Sequence, residues 1–407
     1  MIQALSLAYV CATLALVPFF IFMSAITVAA FFGRRKPTAS PSAPPARSRF
    51  LIVIPAHDEE GTIAATVRSC RNLDYNASLY EIHVIADNCT DATAASAAEA
   101  GALVVERTHA TLRSKGHALE YFFTQNPEGL TTAGLDATVL IDADTVVDPN
   151  LLNVFDRALR EGKDWIQGYY TVSNPDSSWR TRMMTIAFSL ANGVWMLGLD
   201  RLGLGVGLKG NGMCFSVAGL RRVPWRAYGL VEDMEFALTL RAAGERVRFE
   251  PSARVYGEMV SRGGVGAASQ RRRWEAGRQS LRAKFAGVIY RSKILGLYTK
   301  CCYLFDLFFP PLSTLALGLL MASSVHAVAM FWDHLAWTSR LLLPLHAAML
   351  GSFAVYAISP ILVMDLPASY LMSLLALPYY IVWKIAVALG RPPRSWVRTP
   401  RESRRGE

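Results

Sequence analysis

Two aspartates separated by one residue, Asp142 and Asp144, follow the apolar run at residues 137–141. Carboxylates this close repel unless a cation or hydrogen-bond donors neutralise them. A hard divalent ion takes such oxygens and keeps positions open for phosphate oxygens. The Asp-x-Asp spacing arises often by chance, so its place at the end of an expected strand carries the weight. A second acidic pair, Glu232 and Asp233, opens an expected helix running to residue 243, after a Gly-rich irregular stretch. An acid at a helix start serves equally well as a cap. A third group is the run Gln-Arg-Arg-Arg-Trp, which holds Gln270, Arg273 and Trp274. Basic runs are usually solvated faces, but an Arg can hold a diphosphate and a Trp face can stack on a sugar ring.

The elements that must position these residues alternate. Apolar runs at 50–54, 81–86, 102–106 and 137–141 read as buried strands, and 62–73, 91–100 and 117–123 as helices. This pattern predicts an α/β domain whose parallel sheet is covered on both faces. Ligands of such sheets lie beyond the carboxyl ends of the strands. Three of the strands run there into acidic segments: the first into His57-Asp58-Glu59-Glu60, the second into Asp87-Asn88, the fourth into Asp142-Ala-Asp144. Helix capping accounts for Asp91 but not for the pair at 142 and 144.

Composition sets the surroundings. The chain has 407 residues, 52% hydrophobic and only 18% charged, with a mean hydropathy of +0.25. Soluble domains carry about 25% charged residues. The first 33 residues hold no charged side chain, and about 20 apolar residues cross a bilayer. The segment reads as an uncleaved anchor, since a signal peptide wants positive residues before a shorter apolar core. Further apolar runs lie at 302–332, interrupted by Pro310 and Pro311, at 341–363 and at 368–389. The first of these begins at the interface around Asp306; the third, with Trp383 and Lys384, is the weakest span. The net charge of +10 clusters beside these runs, as Arg34, Arg35 and Lys36 and as six Arg from Arg391 onward. This is the positive-inside pattern with attraction to anionic lipid, and no nucleic-acid motif accompanies it. It places the N-terminus outside and the middle of the chain in the cytosol. Three full C-terminal spans would put the Arg-rich tail outside, against the rule, so the third run is expected partly in the interface. A span at 183–199 is rejected, because it would separate Asp142 and Asp144 from Glu232 and Asp233. No Cys-x-x-Cys pair occurs among the six cysteines, which fits a reduced setting without a structural zinc. The expected layout is an anchor at 1–33, a Pro/Ser/Ala linker at 34–49, a catalytic domain at 50–285, interfacial and membrane helices at 286–390, and a basic tail at 391–407.

Taken in order, Ile54-Pro-Ala-His-Asp-Glu-Glu60, Asp87-Asn-Cys-Thr-Asp91, Lys115-Gly116, Asp142-Ala-Asp144, Gly210-Asn-Gly-Met213, Glu232-Asp233 and Gln270-x-x-Arg273-Trp274 resemble the membrane-integrated inverting family 2 glycosyltransferases, among them the cellulose, hyaluronan, chitin-oligosaccharide and poly-N-acetylglucosamine synthases and ceramide glucosyltransferase. The resemblance covers residues 50 to about 285 and implies a GT-A fold, Rossmann-like in its nucleotide-sugar binding, with one N-terminal and two to three C-terminal transmembrane helices. It implies a nucleotide-sugar donor, with uridine as the family's usual base, and Mg²⁺ or Mn²⁺. Pro55, Asp58 and Glu59 would line the nucleobase and ribose pocket, Asp87 would contact the base, and Lys115 and Asp142 would face the donor. Asp144 would hold the metal, Asp233, beside Glu232, would be the general base, and Gln270, Arg273 and Trp274 would brace the diphosphate and the acceptor. The implied product is a growing β-linked saccharide, as in exopolysaccharide synthesis in a bacterial inner membrane; the alternatives are one sugar placed on a lipid (ceramide, diacylglycerol or polyprenyl phosphate) and a non-catalytic scaffold. Asn88 departs from the acidic pair of many relatives. Few membrane segments accompany the domain, so a polymer channel would call for an oligomer or an export partner.

Overall fold

The structure, a computed structural model, describes residues 2–33, 47–125, 134–259, 265–331, 333–376 and 379; the side chains of 2–6, 265–275 and 333–339 lie outside that description. The linker at 37–46 and the Arg-rich tail fall outside it too.

Among the described residues, eight strands form one sheet: β1 Phe50–Ala56, β2 Tyr80–Asp87, β3 Leu103–Arg107, β4 Ala137–Leu140, β5 Thr145–Val147, β6 Trp165–Val172, β7 Met213–Ser216 and β8 Arg248–Gly257, in the order β3-β2-β1-β4-β7-β6-β8-β5. The first four are parallel, as the alternating pattern predicts. The whole sheet is mixed, because β7 runs antiparallel to β4 and β6, and β5 antiparallel to β8. Successive residues of β1 enter opposite cores: Leu51 and Val53 join Phe122, Phe215 and Phe236, while Phe50, Ile52 and Ile54 join Ile63, Val139 and Phe155. This two-residue period is that of a strand buried on both faces. Truncating the fully buried Phe236 to Ala would cost about 3–5 kcal/mol.

Helices α1 Ile2–Gly33, α2 Ile63–Arg71, α3 Thr93–Glu99, α4 Lys115–Gln125 and α5 Leu151–Arg160 precede a long apolar helix. That helix comprises α6 Trp179–Phe188, a π-helical turn Ser189–Val194 and α7 Trp195–Arg201. Then come α8 Val217–Arg222, α9 Glu232–Ala242, α10 Val265–Arg291, α11 Leu297–Phe308, α12 Leu312–Ala329 and α13 Asp333–Val363. The domain boundary expected at 285 falls inside α10, which continues unbroken to Arg291.

Among the described residues, four helical stretches are long and apolar enough to cross a membrane: Leu7–Gly33, Trp179–Arg201, Leu312–Ala329 and Arg340–Val363. The second differs from the rest. Of its most apolar window 67% is buried inside the protein, against 28%, 28% and 17% for the others. It packs between β6, α1 and α13, and Arg201 Nη2 donates to the Gly33 carbonyl at 3.0 Å. Its apolarity answers to protein contacts, in keeping with its rejection as a span. Pro310 and Pro311 separate α11 from α12, since proline cannot continue a helix. The run expected at 368–389 begins as a 3-10 helix, Ala368–Ala376; beyond Ala376 nearly all of it lies outside the described residues.

Candidate active site

Because β2, β1 and β4 are parallel neighbours, their carboxyl ends share one edge of the sheet. The chain leaves β1 and β2 through Asp58 and Asn88 at φ 53° and 52°, a left-handed conformation that Asp and Asn tolerate better than other L-residues. His57 Nδ1 lies 2.8 Å from the Asp87 carbonyl and holds the two exits together. The Asp87 carboxylate pairs with Arg107 at the end of β3 and accepts from Asn88 Nδ2 at 3.0 Å. Asp58 accepts from the Thr90 amide at 2.7 Å, and Glu59 accepts from the Thr62 hydroxyl at 3.0 Å. Asp91 accepts from the Thr93 amide at 3.0 Å and from the Glu60 amide at 3.2 Å, but the N-cap of α3 is Ala92, with no side-chain bond to the helix start, so Asp91 is not the cap expected of it. Pro55 stays within β1, beyond the last β4 partner at Val53.

The turn after β4 carries Asp142 and Asp144, both half-buried. Thr66 of α2 fixes it, donating to the Ala143 carbonyl at 2.9 Å and accepting from the Thr145 amide at 3.2 Å. Asn211, fully buried, accepts from the Asp142 amide at 3.2 Å and donates to the Thr145 hydroxyl at 2.7 Å. Lys115 reaches the same turn from the start of α4. Its ammonium pairs with Asp142, donates to the Gly210 carbonyl at 2.6 Å and lies 3.9 Å from Glu232. Gly116 lets α4 come this close, since a Cβ there would sit 2.0 Å from the Ala227 carbonyl oxygen.

Gly210 is the point around which the groups gather. Its φ is +76°, and a Cβ there would stand 3.3 Å from Asp233 Oδ2 and 3.7 Å from Lys115 Nζ. The cap of α9 is Val231, with no side-chain bond to the helix start, so Glu232 and Asp233 are not caps. Asp233 Oδ1 accepts from the Met234 amide at 2.7 Å. Burial raises the pKa of Asp233 above the ordinary carboxylate range, despite that amide and the nearby Lys115 and Lys209. Burial, with repulsion from Asp233, pushes Glu232 up to about 7 against the pull of Lys115. Burial alone would depress Lys115, but Asp142, Glu232 and Asp233 more than offset it and its pKa is raised. Lys209 goes the other way, lowered by burial although Asp233 opposes the shift.

Arg241 and Glu235 hold α9 in place. Arg241, in its last turn, donates to Asp306 of α11 at 2.8 Å and to the Gly205 carbonyl at 2.8 Å; Asp306 also accepts from Trp195 Nε1 at 2.9 Å. Burial would raise Asp306, but the Arg241 guanidinium and these bonds outweigh it and hold its carboxyl below the usual range. Lys284 of α10 donates to Glu235 at 2.6 Å. The backbone of α10 reaches the start of α9 at Gly277, where a Cβ would lie 2.5 Å from Val231 Cγ2. Trp274 is about one helical turn before that contact, with Arg273 and Gln270 on the same helix; their side chains lie outside the described residues.

Residues 45–277 match the model of the family described as "Glycosyltransferase like family 2". The chain belongs to this family. A curated relative, "Probable glycosyltransferase YdaM" of Bacillus subtilis (strain 168), is 24% identical over 298 residues, 69% of this chain, which spans 66% of that relative's length. Among solved structures, the mannosyltransferase PcManGT from Pyrobaculum calidifontis in complex with GDP-Man and Mn²⁺ is similar at TM-score 0.56 and 19% identity, over 88% of this chain and 99% of that one. Glucosyl-3-phosphoglycerate synthase from Mycobacterium tuberculosis with Mn²⁺, UDP and phosphoglyceric acid has TM-score 0.40 and 20% identity, over 61% of this chain and 80% of that one. The fold of this glycosyltransferase is thus a mixed α/β, GT-A-like one.

The structure brings Lys115, Asp142, Glu232 and Asp233 together and sets Asp58, Glu59 and Asp87 along the same strand-end edge. Sequence reasoning gave no role to Arg107, Asn211 or Lys209. Arg107 is found only through register, opposite Asp87 in the β2–β3 pairing. As metal donors, Asp142 and Asp144 offer carboxylate oxygens on a fixed turn, which suits a hard divalent ion. Asp58, Cys89 and Asp91 also lie within reach of one ion, but that set includes a sulfur, and Asp58 and Asp91 already accept from backbone amides.

Proposed function

We propose that this glycosyltransferase is a membrane-integrated, inverting enzyme that moves a hexose or N-acetylhexosamine from a nucleotide-sugar donor to a growing β-linked saccharide. The observation that carries the reading is the meeting at Gly210 of a partly buried carboxylate from α9, the lysine of α4 and the acidic turn after β4.

In this reading Asp233 accepts the proton of an acceptor hydroxyl. The hydroxyl oxygen bonds to the anomeric carbon while the bond to the diphosphate oxygen breaks on the opposite face, so configuration inverts. A base whose pKa is raised toward working pH transfers protons better. Lys115 holds Asp142 toward the donor, and its charge faces the leaving diphosphate. Asp144 is the metal ligand, and a bound Mg²⁺ or Mn²⁺ would neutralise charge on that leaving group. Pro55, Asp58, Glu59 and Asp87 form the nucleoside wall, and Gln270, Arg273 and Trp274 brace diphosphate and acceptor. The layout proposed is the anchor at 1–33, the linker at 34–49, the catalytic domain at 50–285 in the cytosol, and interfacial and membrane helices at 286–390 ahead of the basic tail. Three apolar helices with mostly outward-facing side chains support it. The lipid-acceptor alternative rests on the apolar stretch at 183–199, but that surface is occupied by α1 and α13.

Uridine is the base carried by the family resemblance; the mannosyltransferase of similar fold is bound to GDP-Man, so both bases belong in the test. Membranes holding the full chain are incubated with UDP-glucose, UDP-N-acetylglucosamine, UDP-galactose and GDP-mannose, and the products are weighed by mass spectrometry. A ladder of β-linked products that EDTA abolishes and Mn²⁺ or Mg²⁺ restores is the expected result. A single glycolipid species overturns the acceptor assignment, and full transfer in chelator removes the metal.

A further inference from the structure

Where α10 turns into α11, residues 276–305 hold six Lys or Arg and no Asp or Glu. The fold occupies some of these cations. Lys284 pairs with Glu235, and Arg282 donates to the Leu307 and Phe309 carbonyls at 2.9 and 3.2 Å. Arg291, Lys293 and Lys300 have no ion-pair partner among the described residues. Between them the chain turns large apolar side chains outward: Val288, Tyr290, Ile294, Leu297 and Tyr298 are 47%, 71%, 71%, 79% and 59% exposed. Single exposed apolar residues are ordinary, but a contiguous set marks an interaction surface. Val288, Arg291, Lys293 and Ile294 line an open depression of about 480 Å³, with Ala242 of α9 on its wall.

The apolar face continues along α11. Leu297, Tyr298, Cys301 and Phe308 are exposed, whereas Tyr303 and Leu307 are buried and Asp306 pairs with Arg241. At 3.6 residues per turn the four exposed positions fall within about 100° of the helix circumference. This helix turns its ion pair inward and its apolar stripe outward, the reverse of a helix in water. It also joins the proposed spans. Phe305 packs on Phe19 and Phe22 of α1 with ring centroids 5.1 and 4.9 Å apart, and Pro310 and Pro311 lead directly into α12. Its other end is fixed to the catalytic domain: Tyr298 donates to the Leu202 carbonyl at 3.4 Å, and a Cβ at Gly244, just past α9, would lie 2.8 Å from Ile294 Cγ2.

Charge decides what covers this face. The same patch on a second copy would set like charges together, and the tail at 391–407 carries six Arg against two Glu. Exposed apolar groups interleaved with Lys and Arg match an anionic lipid surface, where the cations meet phosphates and the apolar groups sink below them. We propose that residues 288–300 dock on the anionic phospholipid headgroups of the leaflet facing the catalytic domain, with Arg291 and Lys293 on lipid phosphate, and so hold the end of α9 at a set height above the bilayer. This rests on the membrane-integrated reading and adds the lipid class to it.

The test places the full chain in nanodiscs of phosphatidylcholine alone or mixed with phosphatidylglycerol and follows amide hydrogen exchange across 288–300. In the native chain these amides should exchange at least about tenfold more slowly in the mixed discs, since each cation near an anionic surface contributes about fivefold. Added salt should narrow that gap. With Arg291→Gln, Lys293→Gln and Lys300→Gln combined, the two discs should agree within about twofold. Four results overturn the proposal: equal exchange of the native chain in both discs; full protection already in phosphatidylcholine, which means that the tail or a second copy covers the face; protection reproduced by inorganic phosphate, which makes it a site for a soluble anion; and a lipid dependence that survives the triple variant. Carbonate extraction separates the two readings. A chain stripped from membranes by carbonate refutes membrane integration itself, whereas a chain that stays embedded and ignores phosphatidylglycerol refutes this inference alone.

Discussion

At the ends of β1 and β2, the carboxylates are satisfied by the chain itself: Asp87 by Arg107 and Asn88, Asp58 by the Thr90 amide. At the start of α9 the balance is reversed. Glu232 and Asp233 lie partly buried side by side, each with one backbone amide, the Lys115 charge that offsets them is shared with Asp142, and both pKa values are raised. The first arrangement makes a rigid wall, suited to recognising a ligand. The second raises proton affinity above the ordinary carboxylate range, the direction that favours moving a proton. On the proposed function, one crevice separates recognition from chemistry by how completely its acids are neutralised.

Substitutions at the chemical end should cost turnover, and those at the wall should cost donor affinity. The largest loss in this series is expected for Asp144→Ala: transfer falls about 10³-fold, measured as product formed at saturating donor. Lys115→Met comes next, with kcat/KM down about 10²-fold, since one ammonium serves Asp142, Gly210 and Glu232. Gly210→Ala should lower kcat about tenfold while the chain still folds, because the new methyl presses on the Asp233 carboxylate from a left-handed backbone position. Arg107→Gln breaks the wall instead: donor KM rises about tenfold and kcat changes less than about twofold. Equal losses of kcat in the last two variants would erase the division between the two ends.

The smallest effect is on stability. The Glu232 carboxyl stands near 7 in the folded chain, well above its ordinary 4.5. Folding therefore favours its protonated form. The resulting stabilisation is full below about pH 4.5 and is lost as pH rises through about 7. The melting temperature of Glu232→Gln, compared with that of the native chain, should gain from pH 5 to pH 8; a constant difference would place Glu232 in water.

The four parallel strands and the acidic residues at their ends were legible in the sequence because buried parallel strands are continuous apolar runs, and β-branched residues mark Ile52-Val53-Ile54 unmistakably. The turn of sheet direction was not. β7 holds only Met213–Ser216, too short to show a period, and its antiparallel pairing with β4 is a tertiary fact. The partners that decide which acids are reactive were equally hidden: Arg107 meets Asp87 by register, and Arg241 meets Asp306 across 65 residues. The apolar stretch 183–199 shows the limit of composition: hydropathy groups it with the outer helices, the acidic pairs on either side argue against a span, and its contacts with α1 and α13 account for its apolarity.

In the proposed mechanism Asp233 takes the acceptor's proton. Measuring sugar transfer and donor affinity side by side in Asp233→Asn tests this most directly. Transfer should drop about 10³-fold while donor Kd stays within about threefold of the native value. Retained transfer, or donor affinity lost in the same proportion as transfer, would contradict it.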